Sequence, residues 1–125
     1  MNKIKNNCNR SKCPITNTLD IIGDKWTLLI IRDMDFFQKK QFNELLNSHE
    51  GISTNILTAR LKKLMETGLV KKQVYQENPK RYEYTLTSAG KTLRPLLVEM
   101  VKWGGEHIEG SYAPSKEDIK KILDE

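Results

Sequence analysis

The stretch GISTNILTARLKKLMETGLVKK, residues 51–72, carries two patterns at once. On a helical wheel at about 100° per residue, Ile56, Leu57, Leu61, Leu64 and Met65 share one broad side, and Asn55, Ala59, Lys62 and Glu66 lie opposite. Ser53 is a good N-cap and Gly68 a good stop, so the spacing predicts a helix running to Thr67, about 22 Å long. The apolar side is made for a core. The front end carries Ser53, Thr54, Asn55 and Thr58, where a helix that only packs more often shows Glu, Lys or Gln. Short polar side chains in the first two turns of such a helix can approach base edges in a major groove. Asn pairs bidentately with adenine, and the Thr methyl meets the methyl of thymine. A helix N-terminus also favours phosphate. An ordinary surface helix with a sound cap would read the same way in isolation, so its neighbours decide.

Upstream, Phe42 reads as a staple residue and Asn43 as the N-cap of a short helix through Glu44, Leu45 and Leu46, followed by a turn at His49, Glu50 and Gly51. Two helices joined by a short glycine-containing turn form a helix-turn-helix unit. Downstream the period changes to two. Residues 69–75 read as a strand. Residues 81–87 alternate, with Tyr82, Tyr84 and Leu86 on one face and Arg81, Glu83 and Thr85 on the other. The polar loop QENPK, residues 76–80, joins them into a hairpin with a basic tip. From Arg60 to Arg81 there are seven basic and two acidic side chains, a surplus as large as the +5 of the whole chain. Charge gathered on a helix and the hairpin behind it is the footprint of a duplex binder. The predicted fold is mainly α with a small antiparallel β-hairpin, a winged helix-turn-helix. Its candidate DNA contacts are Ser53, Thr54, Asn55, Thr58, Arg60 and Lys62 on the helix, and Asn78, Lys80 and Arg81 on the wing. Lys71 and Lys72 read as a solvated strand face.

Residues 1–12 read as a flexible basic arm with Lys3, Lys5, Arg10 and Lys12, residues 13–110 as the winged-helix domain, and residues 111–125 as a C-terminal short helix. Pro14 suits a first helical turn; Ile15, Leu19 and Ile22 recur at i, i+4 and i+7, and Gly23 ends the helix. Asp24 caps a second helix over 25–34, whose Trp26 and Leu28 to Ile31 surround the axis and place it at the centre of the domain. Asp33 and Asp35 at its end read as solvating a turn. A helix starting at Thr87 or Ser88 carries Leu93, Leu97, Met100, Val101 and Trp103, with a kink or frayed turn expected at Pro95 and a tail loosened by Gly104, Gly105 and Gly110. Ser115 caps a last short helix with Ile119, Ile122 and Leu123.

The 125 residues suffice for one domain with a real core, and 38% hydrophobic against 30% charged side chains describe a soluble globular protein. A basic balance favours polyanions. No apolar run approaches the ~20 residues of a membrane span, and the basic N-terminus has no apolar signal core, so a cytoplasmic location is expected. Two cysteines are too few for a disulfide framework. Cys13, at a helix start and near Arg10 and Lys12, is placed to favour thiolate and is a candidate redox sensor, with packing of the helix start as the alternative. Cys8 is its candidate resolving partner. A closed zinc site would need Cys8, Cys13, His49 and His107 to converge across the chain, so neither metal nor cofactor is expected. There is no Gly-rich phosphate loop, nucleophile elbow or pair of loop acids, so no enzyme is expected. Trp26 and Trp103 read as packing residues rather than a ligand platform.

Several stretches together resemble the HxlR-type regulators, a MarR-like group of bacterial winged-helix proteins. They are CPITNTLDIIGDKW (13–26), FNELL (42–46), GISTNILTARLKKLMETGLV (51–70), RYEYTLTSAGKTL (81–93) and the Trp-Gly at 103–104. The resemblance covers roughly residues 13–105. It implies a dimeric transcription regulator, repressor or activator, on a pseudo-palindromic duplex operator. It also implies a dimer built by the first and C-terminal helices, which puts Ile15, Leu19, Leu97, Met100 and Trp103 at the seam. A Cys before Pro, Cys13 here, senses oxidants, quinones or aldehydes in some relatives. The alternative is a winged-helix protein-interaction module without DNA binding, whose mark would be an acidic or apolar recognition face; this sequence has neither. Nothing in the sequence identifies an effector.

Overall fold

Three leucines one helical turn apart set the architecture. Leu57, Leu61 and Leu64 of the helix that follows Ser53 are buried, and the elements around them form the first of two compact units, Met1–Lys91 and Thr92–Glu125. The computed structural model describes residues 3–4, 10–112, 115–117 and 120.

In the first unit, α1 (Pro14–Ile22) starts with proline in its first turn and closes at Gly23, whose N–H donates to the Leu19 carbonyl at 2.8 Å. The second helix, α2 (Thr27–Asp35), begins two residues later than expected. Asp24 still serves its start, accepting from the N–H groups of Trp26 (3.0 Å) and Thr27 (3.2 Å) and from the Thr27 hydroxyl. Ile30, Ile31 and Met34 are buried, as a central helix requires. Asp33 and Asp35 are not turn solvators: they are 2% and 5% exposed. Asp33 is tolerated there because Arg32 holds it at 2.8 Å, with Lys39 at 3.9 Å.

The short α3 (Phe42–Leu46) is capped by Gln41 rather than Asn43, with Glu44 reaching back to the Gln41 N–H at 3.0 Å. Gly51, at φ +73°, makes the turn into α4 (Thr54–Glu66). Ser53 caps α4 as expected, its hydroxyl oxygen accepting from the Ile56 N–H at 3.2 Å. The exit is a Schellman motif: Gly68, at φ +76°, donates to the Met65 carbonyl and Leu69 to the Leu64 carbonyl. The antiparallel hairpin β1 (Val70–Gln76) and β2 (Arg81–Leu86) pairs Val70 with Leu86, Lys72 with Tyr84 and Val74 with Tyr82, and a bulge at Tyr75 shifts the register before Gln76 meets Arg81. Thr87 pins the base of the hairpin. Its N–H donates to the Leu69 carbonyl (3.0 Å) and its hydroxyl to the Gly68 carbonyl (2.6 Å), while the Thr87 hydroxyl oxygen accepts from the Gly90 N–H (3.1 Å) in α5 (Ser88–Lys91). This is the winged helix-turn-helix expected from the sequence.

The second unit holds α6 (Arg94–His107), with Pro95 in its first turn. Where one helix with a kink or a frayed first turn is expected, the chain makes two, because proline starts a helix more readily than it continues one. Gly104 and Gly105 do not loosen the tail; both lie inside α6. Lys116, Glu117 and Lys120 are helical, while Ile119, Ile122 and Leu123 lie outside the described residues.

Gly90 is buried because α5 presses on the hairpin base: a Cβ there would lie 2.2 Å from the Leu69 carbonyl oxygen and 3.0 Å from the Leu86 side chain. Gly90→Ala is expected to destabilise the protein by about 1–3 kcal/mol, as overpacking does. Urea unfolding of the full chain checks it, and an unmoved midpoint would contradict this close approach.

Candidate nucleic-acid interface

With Leu57, Leu61 and Leu64 turned inward, the opposite side of α4 has to face solvent. Ser53, Thr54, Asn55, Thr58 and Lys62 are all exposed. Thr58 donates its hydroxyl hydrogen back to the Thr54 carbonyl at 2.8 Å. The turn before α4 is tied to α2 by Arg32, whose two Nη atoms reach the two Glu50 oxygens at 3.0 and 2.7 Å. That contact, with the Arg32 hydrogen bond first among its causes, holds the Glu50 carboxyl below its usual range.

Arg60 behaves differently from the other recognition-helix candidates. Its Nε donates to Asp24 at 2.7 Å, and the side chain is partly buried. One turn on, the Lys63 ammonium donates to the Asp20 carbonyl at 3.1 Å, in the last turn of α1. Burial pushes the Asp24 carboxyl up. Hydrogen bonds from the Thr27 hydroxyl, the Trp26 N–H and Arg60 outweigh it and hold the group at about 2. Residues 24 and 60 are too far apart in sequence for periodicity to link them; the only sign was a cap residue placed before a helix.

The hairpin gathers Asn78, Lys80 and Arg81 at its tip, all exposed. Lys71 and Lys72 are both exposed on a strand face, as expected, and Lys72 also lies against two rings. Its ammonium sits 4.4 Å from the Tyr82 ring centre and 5.8 Å from that of Tyr84, the cross-strand neighbours given by the register. Bulged Tyr75 accepts through its hydroxyl from Gln41 Nε2 at 2.9 Å, and the Tyr84 N–H donates to the Lys40 carbonyl at 2.7 Å. The wing is therefore anchored to the segment that opens the helix-turn-helix.

Cys13 is an exposed free thiol at the N-cap of α1. The Thr16 N–H and hydroxyl, and then the Ile15 N–H, lower its pKa from the ordinary thiol value. Arg10 is not the thiol's cation: it is spent on Asp20 at 3.0 Å. Cys8 lies outside the described residues. On α1, Ile15 is 70% exposed and Leu19 is exposed too; on α6, Met100 is exposed and Trp103 is 61% exposed, whereas Leu97 is buried. Among the described residues no group of three or more His, Cys, Asp or Glu could hold a metal ion, and no helix is long and apolar enough to cross a membrane.

Residues 21–112 match the HxlR-like helix-turn-helix family. The HTH-type transcriptional regulator YybR of Bacillus subtilis (strain 168) is 38% identical over 96 residues, which cover 77% of this chain and 76% of YybR. A solved structure from Porphyromonas gingivalis W83, described as a MarR-family transcriptional regulator, superposes with a TM-score of 0.68 at 36% identity, over 82% of this chain and 100% of that one. The oxidized form of the redox regulator HypR gives 0.67 at 37% identity, over 78% of this chain and 99% of HypR. These relatives are regulators, not enzymes.

The Asp24 junction has a pH signature. Its folded-state value of about 2 lies below the ordinary 3.8, so its contribution to stability is complete above about 3.8 and is lost as pH falls through about 2. Urea midpoints measured across that window are expected to fall less steeply for Asp24→Asn than for the wild-type chain; equal slopes would contradict the assignment.

Proposed function

We propose that this chain, which belongs to the HxlR-like helix-turn-helix family of transcriptional regulators, works in the cytoplasm as a homodimer that binds duplex DNA sequence-specifically. The observation that carries this reading is the exposure of Ser53, Thr54, Asn55 and Thr58 at the front of α4, followed by a hairpin whose tip presents Lys80 and Arg81. In the proposed complex α4 enters the major groove. Asn55 and the Thr58 methyl read bases, and Ser53, Thr54 and Lys62 hold the flanking phosphates. Asn78, Lys80 and Arg81 grip the backbone beside the half-site.

The proposed dimer is built from Ile15 and Leu19 on α1 and from Met100 and Trp103 on α6; Leu97, expected at the seam, is already buried within the chain and has no surface to offer it. The exposure of Ile15, Leu19, Met100 and Trp103 supports it, since large apolar side chains left open on two helices want a partner surface. Two-fold symmetry then spaces the half-sites about 34–36 Å apart, or a multiple of that. Cys13 is the proposed input for oxidants or electrophiles. Its accessibility, its lowered pKa and the likeness to the redox regulator HypR support that role.

Duplexes selected from genomic fragments, then carrying single base changes, test the reading. Asn55→Ala or Thr58→Ala is expected to cost about 1–3 kcal/mol of discrimination at one base position. Lys80→Ala or Arg81→Ala is expected to weaken binding to all sequences and to lower the salt slope by about one. Base preference unchanged in both helix variants would defeat their assigned roles. Binding that does not weaken as salt rises would point instead to the protein-interaction module.

For the thiol, diamide is expected to change the affinity of the wild-type protein for its selected duplex and to leave Cys13→Ser unaffected. An equal response in both proteins would remove Cys13 as the input.

A further inference from the structure

Of the candidate cations on α4, Arg60 is the one whose geometry opposes a contact with DNA. Its Nε is held by Asp24 Oδ2 at 2.7 Å, and Asp24 is itself fixed by the first turn of α2, through the Trp26 and Thr27 N–H groups and the Thr27 hydroxyl. The carboxylate is therefore a rigid post on α2, and Arg60 ties α4 to it. Three residues on, Lys63 ties α4 to the Asp20 carbonyl of α1. The two tethers leave α4 one turn apart and end on the α1–α2 corner, Asp20 and Asp24 standing on either side of Gly23.

The leucine packing beneath α4 cannot do this job alone. Apolar burial is non-directional and sets which side of a helix faces in, with little resistance to a small rotation or slide. A charge-assisted hydrogen bond is directional and short, and it penalises such a displacement. Bidentate base contacts need placement to a fraction of an ångström, so the orientation of α4 decides which bases Asn55 and Thr58 meet. The Arg60 charge is also offset locally by Asp24, which weakens its claim as a phosphate contact.

We infer that Arg60 is a positioning residue: paired with Asp24, it fixes the orientation of α4 and thereby sets base preference, without touching the DNA. This rests on the DNA-binding reading above, and the test separates the two.

The probes are duplexes enriched from a random-sequence pool by the wild-type protein and a scrambled duplex of the same length. Asp24→Asn keeps a good N-cap and removes the charge; Arg60→Gln removes the other partner. Both variants are expected to lower the ratio of enriched to scrambled affinity about tenfold, the order of one mismatched base pair. The slope of log affinity against log salt is expected to stay at the wild-type value, and the double variant to be no worse than either single one. Loss of global stability alone would not produce a changed ratio in protein shown by circular dichroism to be folded. Where Asp24→Asn does not fold, Arg60→Gln decides by itself, because losing a phosphate contact would lower the slope by about one. That lowered slope, or an undiminished ratio in the folded variants, overturns the inference and leaves the DNA-binding reading standing. A pool in which no sequence is enriched overturns both.

Discussion

The burial of Leu57, Leu61 and Leu64 is the constraint on which the rest of this molecule depends. Each such side chain stabilises the fold by roughly 1.5–3 kcal/mol when taken out of water. A thirteen-residue helix is marginal on its own, so α4 exists because this stripe has a core to enter. Once the stripe is inside, 3.6-residue periodicity leaves no choice about what faces out: Thr54, Asn55, Thr58 and Lys62. The polar exposed face is thus the geometrical complement of the packing face. The other elements of the first unit serve the same end. Helices α2 and α3 and strand β1 pack against α4, Glu50 and Arg32 fix the turn that delivers α4, and Gly68 reverses the chain so that the hairpin follows at once.

Much of this was legible in the sequence because it is local. The cap at Ser53, the stop at Gly68, the start at Pro14 and the change of period at the hairpin all depend on a few adjacent residues, and the structure holds them within a residue or two. The reading of Asp33 and Asp35 failed because it concerns charge in the interior. Asp33 and Asp35 looked like turn residues because acids are seldom buried, yet Arg32 and Lys39 supply what keeps Asp33 inside. Lys72 is solvated as expected, and the register adds what the pattern does not show, the Tyr82 and Tyr84 rings beside it. Arg60 looked like every other cation on its helix, and only the three-dimensional approach of Asp24 distinguishes it. Single-residue patterns report which way a side chain points; they carry nothing about which distant group it meets.

Proline and glycine were read correctly as punctuation and incorrectly as to degree. Pro95 opens a new helix instead of kinking an existing one, and Gly104 and Gly105 are absorbed into α6. A helix interior tolerates glycine at about 1 kcal/mol each, less than the neighbouring turns of a fourteen-residue helix can hold in place. The result is an unbroken α6 on which Met100 and Trp103 are separated by about one turn, along the same side.

The Thr87 knot at the root of the hairpin has a mechanical consequence. Both strands are clamped where they leave the body, by three hydrogen bonds to one residue, while the far end is a turn of exposed residues. Gln41 and Lys40 hold the ribbon again at Tyr75 and Tyr84, so only the turn beyond them overhangs, and its reach is set by the length of that turn. Insertions or deletions in the tip would alter how far the arm extends while leaving the root untouched, so the span of the arm and the integrity of the fold can diverge independently over evolution.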